Sequence, residues 1–234
     1  AEYDYQLEEI EIRKVSDTRI EGFSHQLSKN VWSCDADQEY TIHFVMEFDQ
    51  PIQSMGGWIN DRKQETTVLK AKNIQDAGAW LEFDIRQNPV VQTRTGISMV
   101  SIQNAAENLE KEISQPFGWN FDAVHQNQKD VWNELLGRVQ ITTNNRFEKV
   151  RFYTNMFRAL SRNTFSDVNG EWISADGKTP RFPNPDPLAL GCDAFWNTFW
   201  NLNQFWNLVT PEWSNRWVNS QLAMYNANGW LDKG

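Results

Sequence analysis

The first hundred residues contain short segments in which apolar and polar positions alternate. Ile10 and Ile12, for example, alternate with charged residues. A period of two is typical of a half-buried β-strand, and it predicts strands at 7–15, 41–48, 81–85 and 90–101. Turn-forming residues separate these segments, at 49–51, Gly56-Gly57, Asn60-Asp61 and Asn88-Pro89. The pattern predicts an antiparallel β-sandwich.

After Ser101 the apolar spacing becomes that of α-helices. A short amphipathic helix is predicted from Ala105, Ala106, Leu109 and Ile113, and Gln115-Pro116 is expected to end it. A second stripe, which stops near Gly137, contains Phe121, Val124, Val131, Trp132, Leu135, Leu136 and Val139. A third contains Phe147, Val150, Tyr153, Met156, Phe157 and Leu160, with Asn144 or Asn145 as its cap. The second half is predicted to be helical.

A long polar loop and two further helices follow. The loop covers 163–193 and contains a predicted hairpin, 172–182, which turns at Asp176-Gly177. A helix is predicted at 193–207, because Trp196 and Trp200 are four residues apart and would share a face. The last helix is predicted at 211–228, with proline in its first turn and Gly229 at its end.

Composition narrows the functional classes. The 234 residues are 40% hydrophobic, enough for two modest domains. A formal charge of -9 argues against a nucleic-acid partner, and no apolar run approaches the roughly 20 residues that span a membrane. Cys34 and Cys192 indicate neither a metal site nor a disulfide framework. The sequence starts at Ala1 without the pattern of a signal segment and stops at Gly234 straight after a predicted helix, so we expect a fragment or a processed product.

An aromatic segment between Phe195 and Trp217 is the strongest functional candidate. It contains Phe195, Trp196, Phe199, Trp200, Phe205, Trp206, Trp213 and Trp217, interleaved with Asn197, Asn201, Asn203, Gln204 and Asn207. Indole rings stack on sugar faces, and carboxamides both donate to and accept from hydroxyls. At helical spacing the same rings could instead form a core, which is the favoured interpretation for Trp206, Trp213 and Trp217. Both interpretations stay open for Trp196 and Trp200.

Other candidate sites have simpler explanations. Asp167, Asn169 and Gly170 resemble the start of an EF-hand loop, but the glycine comes too early, so a plain turn is predicted. Gly56-Gly57 has no nucleotide fingerprint and is interpreted as a strand-end turn. Three isolated histidines are interpreted as surface or packing residues: His25, His43 and His125. Five carboxylates near the aromatic segment are interpreted as turn formers, caps or solvated charges: Glu171, Asp176, Asp186, Asp193 and Glu212.

Five stretches of the chain form an ordered series of motifs. The first joins Gly96-Ile97-Ser98-Met99-Val100-Ser101 to Asn104-Ala105-Ala106-Glu107-Asn108-Leu109-Glu110. The others are Trp132-Asn133-Glu134-Leu135-Leu136, Phe152-Tyr153, Asp167 with Asn169-Gly170, and Phe195-Trp196-Asn197-Thr198-Phe199. Taken in this order they resemble the successive signatures of glycoside hydrolase family 92, the exo-acting α-mannosidases. The ordered series is more specific than any single piece. The resemblance extends over nearly the whole chain and is best from Gly96 onward.

The resemblance implies a β-sandwich followed by an α-helical (α/α)6 barrel, both incomplete in this chain. Residues 1–115 would be the C-terminal part of the sandwich and a linker helix, and residues 116–234 the first helices of the catalytic domain. It also implies calcium-dependent hydrolysis of terminal α-mannosides with inversion, by a glutamic acid and a carboxylate base. The acid, the base and the calcium ligands are expected outside this chain, so no catalytic or metal residue is assigned.

One family motif, Trp-Asp-Thr-aromatic-Arg, lies inside the chain as Trp196-Asn197-Thr198-Phe199-Trp200. In the family its Trp and Asp line the sugar pocket. Asn197 keeps hydrogen bonding but loses the charge-assisted bond of a carboxylate, and Trp200 replaces an ion-pairing arginine by an apolar plate. If the Asp and Arg of the motif form an ion pair, replacing both is expected, because replacing only one would leave the other charge without a partner. We predict Trp196, Asn197 and Trp200 as substrate-binding residues and leave mannose specificity open.

The sequence therefore predicts part of a secreted or periplasmic exo-glycosidase acting on terminal α-mannosides. Another sandwich-plus-barrel glycosidase or phosphorylase, and a non-catalytic sugar-binding relative, remain alternatives. The expected partners are an α-mannoside or related glycan, and the rest of the polypeptide or a companion chain. A truncated sandwich would leave an edge strand and a hydrophobic face uncovered, so isolated residues 1–234 are expected to aggregate or to need a partner chain.

Overall fold

The structure is a computed structural model that describes residues 5–28, 37–74, 76–161, 163–182, 189–191 and 195–231. The chain divides into two compact units, Ala1–Trp119 and Asn120–Gly234. Within the described residues, the eight strands lie in the first unit and the three longest helices in the second. The predicted order of a β-sandwich followed by α-helices is confirmed.

Eight strands form two antiparallel sheets. They are β1 (Tyr5–Ser16), β2 (Arg19–Ser28), β3 (Gln38–Phe48), β4 (Ile52–Ile59), β5 (Arg62–Glu65), β6 (Val68–Ile74), β7 (Ala77–Phe83) and β8 (Thr93–Ser98). The larger sheet has the order β6-β1-β2-β3-β8 and the smaller the order β5-β4-β7. Side chains from both sheets, among them Ile12, Phe48 and Met55, form one core, because alternate residues of a strand share a face.

The predicted strands differ in how well their ends were placed. Those at 7–15 and 41–48 are confirmed as β1 and β3. The strand predicted at 81–85 extends too far, since β7 ends at Phe83 and Ile85 is exposed. The strand predicted at 90–101 is too long at both ends, since β8 covers only Thr93–Ser98. β8 begins late because its partner β3 has already ended at Phe48, and Asp49 Oδ1 accepts the Gln92 amide at 2.8 Å.

The strand-end turn predicted at Gly56-Gly57 is wrong. Both glycines lie in the middle of β4. A β-carbon on Gly56 would lie 2.0 Å from Cζ2 of Trp80, and one on Gly57 would lie 2.9 Å from Cδ1 of Leu69. The glycines are required by this close packing on both faces of the sheet and not by a turn.

A helix covers the second face of the larger sheet. Helix α1 (Ile102–Leu109) places Ala105 and Leu109 against Val45 of β3, and all three are buried. Gly96 of β8 lies directly below the helix, because a β-carbon there would be 2.1 Å from the Ala105 carbonyl oxygen. The alternating pattern of β3 predicted that only one of its faces is buried. Val45 lies on the opposite face and is buried there by α1.

The predicted end of this helix at Gln115-Pro116 is also wrong. The helix continues through a π-helical turn, Glu110–Ser114, into the last turn α2 (Gln115–Phe117). A proline inside an α-helix lacks an N–H and clashes with the carbonyl four residues earlier. In the wider π turn the Gln115 amide bonds the Glu110 carbonyl instead, which accommodates Pro116. The helix then ends at Gly118, whose φ is 58°.

The second unit is built from helices around an aromatic core. They are α3 (Phe121–Gly137), α4 (Arg146–Leu160), a 3-10 helix (Phe195–Trp200), α5 (Leu202–Val209) and α6 (Pro211–Asn228). Met156, Leu160 and Trp206 form the centre of the core. No described helix combines the length and apolar character that crossing a membrane requires.

Local end signals predicted the helix boundaries well. The Asn145 side chain accepts the Phe147 amide at 2.9 Å, which confirms it as the cap of α4. α6 begins at Pro211 and ends before Gly229, whose φ is 81°. These residues act on their immediate neighbours, so the sequence alone was sufficient.

The single helix predicted at 193–207 is wrong. Its described part is two short helices, the 3-10 helix and α5, separated at Asn201, which has φ of -161° and ψ of -18°. The predicted hairpin at 172–182 is confirmed in its turn: the Ser174 amide bonds the Lys178 carbonyl at 3.0 Å, and Gly177 has φ of 76°. That positive φ is why glycine is needed there.

Candidate functional site

The predicted substrate-binding residues lie on the 3-10 helix of the second unit. Thr198 is buried, whereas Asn197, Phe199 and Trp200 are exposed. Trp200 has 72% of its surface exposed. The backbone of Trp196 belongs to this helix, but its side chain lies outside the described part of the structure. The helix is therefore anchored by Thr198 and presents the following aromatic residues outward.

Trp200 and Asn197 contact each other directly. The indole nitrogen of Trp200 donates to Asn197 Oδ1 at 3.2 Å. The Trp200 ring also stacks on Phe199, with centroids 5.2 Å apart and planes inclined by 27°. Where the family motif has Asp and Arg, this chain therefore has a neutral hydrogen-bonded pair. The pair leaves an aromatic stack facing solvent.

Polar groups hold this stack beside α5. Gln204 Nε2 donates to the Phe199 carbonyl oxygen at 2.8 Å, which joins the end of the 3-10 helix to α5. Asn201, at the break between the two helices, is exposed. Carboxamides thus lie next to exposed rings, a combination suited to sugar hydroxyls and sugar C–H faces.

A pocket of about 320 Å³ adjoins the break between these helices. It lies between α4 and α5 and is lined by Phe152, Asn155, Met156, Ala159, Asn201, Leu202 and Phe205. Its lining combines apolar side chains with two carboxamides and contains no charged group. Sequence reasoning missed Phe152 and Asn155. Asn155 lies outside the predicted apolar stripe of α4, and no local signal marked it.

The remaining tryptophans of the aromatic segment belong to the core, as predicted. Trp206 has 1% of its surface exposed, and its ring makes an edge contact with Trp213 at 6.3 Å. Trp213 and Trp217 are partly buried against the same cluster. The core interpretation is confirmed for these three residues.

The described carboxylates near the segment are engaged in ion pairs. Glu171 bonds Arg181 at 2.8 Å and Glu212 bonds Arg138 at 2.5 Å. Asp176 is a turn former, as predicted, and accepts bonds from Ser174 and Lys178. Hydrogen bonds from Lys178 and then from Ser174 lower the pKa of Asp176 from 3.8 to about 2. Asp186 and Asp193 lie outside the described residues.

The Glu212 carboxyl also has a shifted pKa. Partial burial acts to raise it, but the hydrogen bond and charge of Arg138 outweigh burial, and the net pKa is lowered. A general acid needs a raised pKa to hold its proton near neutrality. Glu212 and Asp176 are both shifted the opposite way, so neither has the electrostatics of the proton donor.

The other interpreted residues have structural roles. The Asp167 region is a plain turn, as predicted, closed by the Gly170 amide on the Asp167 carbonyl at 2.8 Å. His25 bridges neighbouring strands through Thr41 at 2.7 Å, the His43 ring lies beside Phe23, and His125 is exposed. These observations confirm surface and packing roles. Cys34 and Cys192 lie outside the described residues.

Two family models match the chain. The N-terminal domain of glycosyl hydrolase family 92 matches residues 2–98, and the catalytic domain of the same family matches residues 104–234. A protein of Arthroderma benhamiae, described as an uncharacterized secreted glycosidase, is 28% identical over 106 residues. That match covers 43% of this chain and 14% of the fungal protein.

Two solved structures share the fold. The GH92 alpha-mannosidase BT3965 of Bacteroides thetaiotaomicron aligns over 94% of this chain with 22% identity and a TM-score of 0.77. The GH92 inverting mannosidase BT2199 of Bacteroides thetaiotaomicron VPI-5482 aligns over 99%, with 21% identity and a TM-score of 0.74. The chain spans 29% of the first protein and 31% of the second.

Proposed function

Since the chain belongs to glycoside hydrolase family 92, we propose that it is part of an exo-glycosidase that hydrolyses terminal α-mannosides with inversion. Inversion uses one carboxylic acid to protonate the leaving oxygen and a carboxylate to activate water on the opposite face. We assign neither role to a described residue. The acid and base belong to other segments of the polypeptide, and the helices of the second unit are part of an (α/α)6 barrel.

The sugar contact is proposed at Trp196, Asn197 and Trp200. The observation that carries this assignment is the exposed Phe199–Trp200 stack, hydrogen-bonded to Asn197 and flanked by Gln204. An exposed aromatic pair costs solvation free energy unless a ligand covers it. A sugar ring would stack on Trp200 while its hydroxyls bond to the carboxamides.

A calcium ion is implied by the family, and the described residues do not fit one. They contain no group of three or more His, Cys, Asp or Glu side chains that could hold a metal. We therefore derive no step through calcium from these residues and place its ligands elsewhere in the polypeptide. Removal of calcium with a chelator is expected to abolish turnover, and turnover that ignores chelation contradicts the assignment.

A secreted or periplasmic location is proposed with the enzyme. The similarity to a fungal glycosidase described as secreted supports it. The partners are an α-mannoside or related glycan, and the remaining polypeptide or a companion chain. Large exposed apolar side chains in the second unit support the need for further covering: Phe121, Phe147, Leu208 and Leu222. A monodisperse, cooperatively unfolding 234-residue chain would contradict this need.

The test is an assay of the full-length gene product on a panel of α-mannosides, with and without chelator and phosphate. Hydrolysis that needs no phosphate supports the proposal, whereas phosphate-dependent turnover identifies a phosphorylase. Sugar binding without turnover identifies a non-catalytic relative, the alternative favoured by the altered motif. Each outcome names one of the three functions.

Variants test the sugar contact separately. Trp196→Ala and Trp200→Ala are expected to raise KM or Kd by about tenfold while the fold persists. Trp230→Ala is the matched control, because Trp230 is another exposed tryptophan of the second unit, with 62% of its surface exposed. Global unfolding of Trp196→Ala would support a core role for that residue.

A further inference from the structure

Two tryptophans lie on the outer face of the smaller sheet. Met55 and Gly57 of β4 face the core, as do Ala79 and Leu81 of β7. Because strand residues alternate between faces, Trp58 and Trp80 must point away from the core. Both are half-buried. Trp58 and Trp80 are thus partly exposed because they lie on the outer face of regular strands.

The indoles lie directly against glycines of the opposite strand. Trp80 pairs with Gly56, and Trp58 pairs with Gly78. A β-carbon on Gly56 would lie 2.0 Å from Trp80 Cζ2, and one on Gly78 would lie 2.4 Å from Trp58 Cη2. Each ring therefore rests on bare backbone, and the reciprocal pairing puts Trp58 and Trp80 at diagonal positions on the same face of the sheet. We call these two rings the indole platform.

Polar side chains surround the indole platform. Lys63 pairs with Trp58, and Glu65 pairs with Gly56, so both lie on the same outer face. Ser54 Oγ donates to Glu82 Oε2 at 2.5 Å. The indole nitrogen of Trp58 donates to Asp76 Oδ2 at 2.8 Å. The platform is thus an aromatic surface with hydrogen-bonding groups at its edges.

Packing on a glycine of the sheet explains why one face of each indole is covered. It does not explain why two large rings sit together among charged side chains, with no apolar neighbour on that face of the described strands. From this arrangement we propose that the indole platform is a second carbohydrate-binding site, which takes the pyranose rings of a neutral polysaccharide. Sugar C–H faces stack on the outer sides of the indoles, and hydroxyls bond to the surrounding polar groups.

The charges select a neutral ligand. Three carboxylates, Glu65, Asp76 and Glu82, lie at the platform against the single ammonium of Lys63. Phosphate or uronate groups would be repelled by this excess. The site belongs to the first unit and contains none of the residues proposed to contact the terminal sugar. Its binding can therefore be measured whether or not the enzyme is a mannosidase.

Affinity electrophoresis of the full-length protein tests the proposal. Native gels containing soluble α-mannan, a neutral β-glucan or polygalacturonate are the probes. Retardation by at least one neutral polysaccharide, and none by polygalacturonate, is expected. Trp58→Ala combined with Trp80→Ala should raise the apparent Kd about tenfold or more. Trp119→Ala is the matched control, since Trp119 is another half-buried tryptophan of the same unit and should leave retardation unchanged.

Further measurements guard against misfolding of the alanine variant. Trp58→Phe combined with Trp80→Phe keeps a ring over each glycine and should retain part of the retardation. In the unmodified protein, hydroxyl-radical oxidation of Trp58 and Trp80 should fall several-fold when the neutral polysaccharide binds. The proposal is overturned by unchanged retardation of the double alanine variant or by polysaccharide that leaves this oxidation unchanged. It is equally overturned if both rings resist oxidation without polysaccharide, because another part of the protein then covers them.

Hydrolysis of a small α-mannoside separates this site from the proposed active site. The double alanine variant should cleave such a substrate at the unmodified rate and lose only polysaccharide retention. Failure of the mannosidase assay alone would leave the retardation result intact. Loss of small-substrate activity in the folded variant would contradict a second, independent site.

Discussion

The indole nitrogen of Trp206 donates to the main-chain carbonyl oxygen of Ala159 at 3.0 Å. Ala159 lies in the last turn of α4, where carbonyl groups lack partners within the helix. Trp206 thus fills the core and also satisfies a helix end. This double role explains why tryptophan, and not simply a large apolar residue, occupies the position.

Trp206→Phe should lower the free energy of unfolding by about 1–3 kcal/mol, because the partly buried Ala159 carbonyl would lose its donor and the smaller ring would leave space in the core. Urea unfolding followed by circular dichroism measures the change. Trp230→Phe, at an exposed position, is the control and should fall within about 0.5 kcal/mol. A loss at Trp206→Phe no larger than at Trp230→Phe would show that the bond to Ala159 contributes no stability.

Gly96→Ala should destabilise the first unit by about 2 kcal/mol or more, because its methyl group would collide with the backbone of α1. Hydrogen exchange of the α1 amides should rise in parallel. Gly137→Ala is a control of opposite sign. No atom lies within 4 Å of its β-carbon, so the variant should stabilise α3 by about 0.5–1 kcal/mol. A harmless Gly96→Ala would refute the close contact of α1 with β8.

Lys178→Met should raise the pKa of Asp176 from about 2 toward its ordinary value of 3.8, because the largest cause of the shift is removed. The folded-state pKa lies below the unfolded value. The stabilisation is therefore present above about pH 4 and is lost as the pH falls toward about 2. Carboxyl-carbon NMR titration measures the pKa directly. Lys129→Met, on the surface of α3, should leave the Asp176 titration unchanged.

Asn197→Asp combined with Trp200→Arg would recreate the family motif at the end of the 3-10 helix. Each single change should impair function, since Asp alone lacks a cation and Arg alone lacks an anion. The double variant should have a higher kcat/KM for an α-mannoside than either single variant. A double variant no better than the two effects added together would show that the positions do not form a pair.

Sequence patterns were sufficient where the controlling contacts are local. Asn145, Pro211 and Gly229 each act within one helical turn, and their helix boundaries were predicted correctly. By contrast, the Gly56-Gly57 pair has the local sequence of a turn although it lies inside β4. What decides the placement of both glycines in a strand is packing against Trp80, 24 residues beyond Gly56, and against Leu69, 12 residues beyond Gly57, and neither contact can be read from spacing.

The candidate site was only partly predictable for the same reason. The motif at 196–200 marked the segment, and burial of Trp206 agrees with its helical spacing. The break at Asn201 was missed, because equal spacing of tryptophans cannot distinguish one helix from two. Phe152 and Asn155 reach the pocket from α4 through tertiary packing, and no pattern in the sequence connects them to Asn201.

The π-helical turn at Glu110–Ser114 sets the rotation of the last residues of the first unit about the helix axis. A residue more or fewer in a helix rotates everything after it by about 100°. Trp119 follows this turn, and its ring lies 4.2 Å from the guanidinium carbon of Arg94, which also donates to the Gly118 carbonyl at 3.2 Å. Deletion of one residue from the turn would convert it to an ordinary helix and carry Trp119 away from Arg94. A one-residue change in length thus decides whether the last residue of the first unit meets its cation.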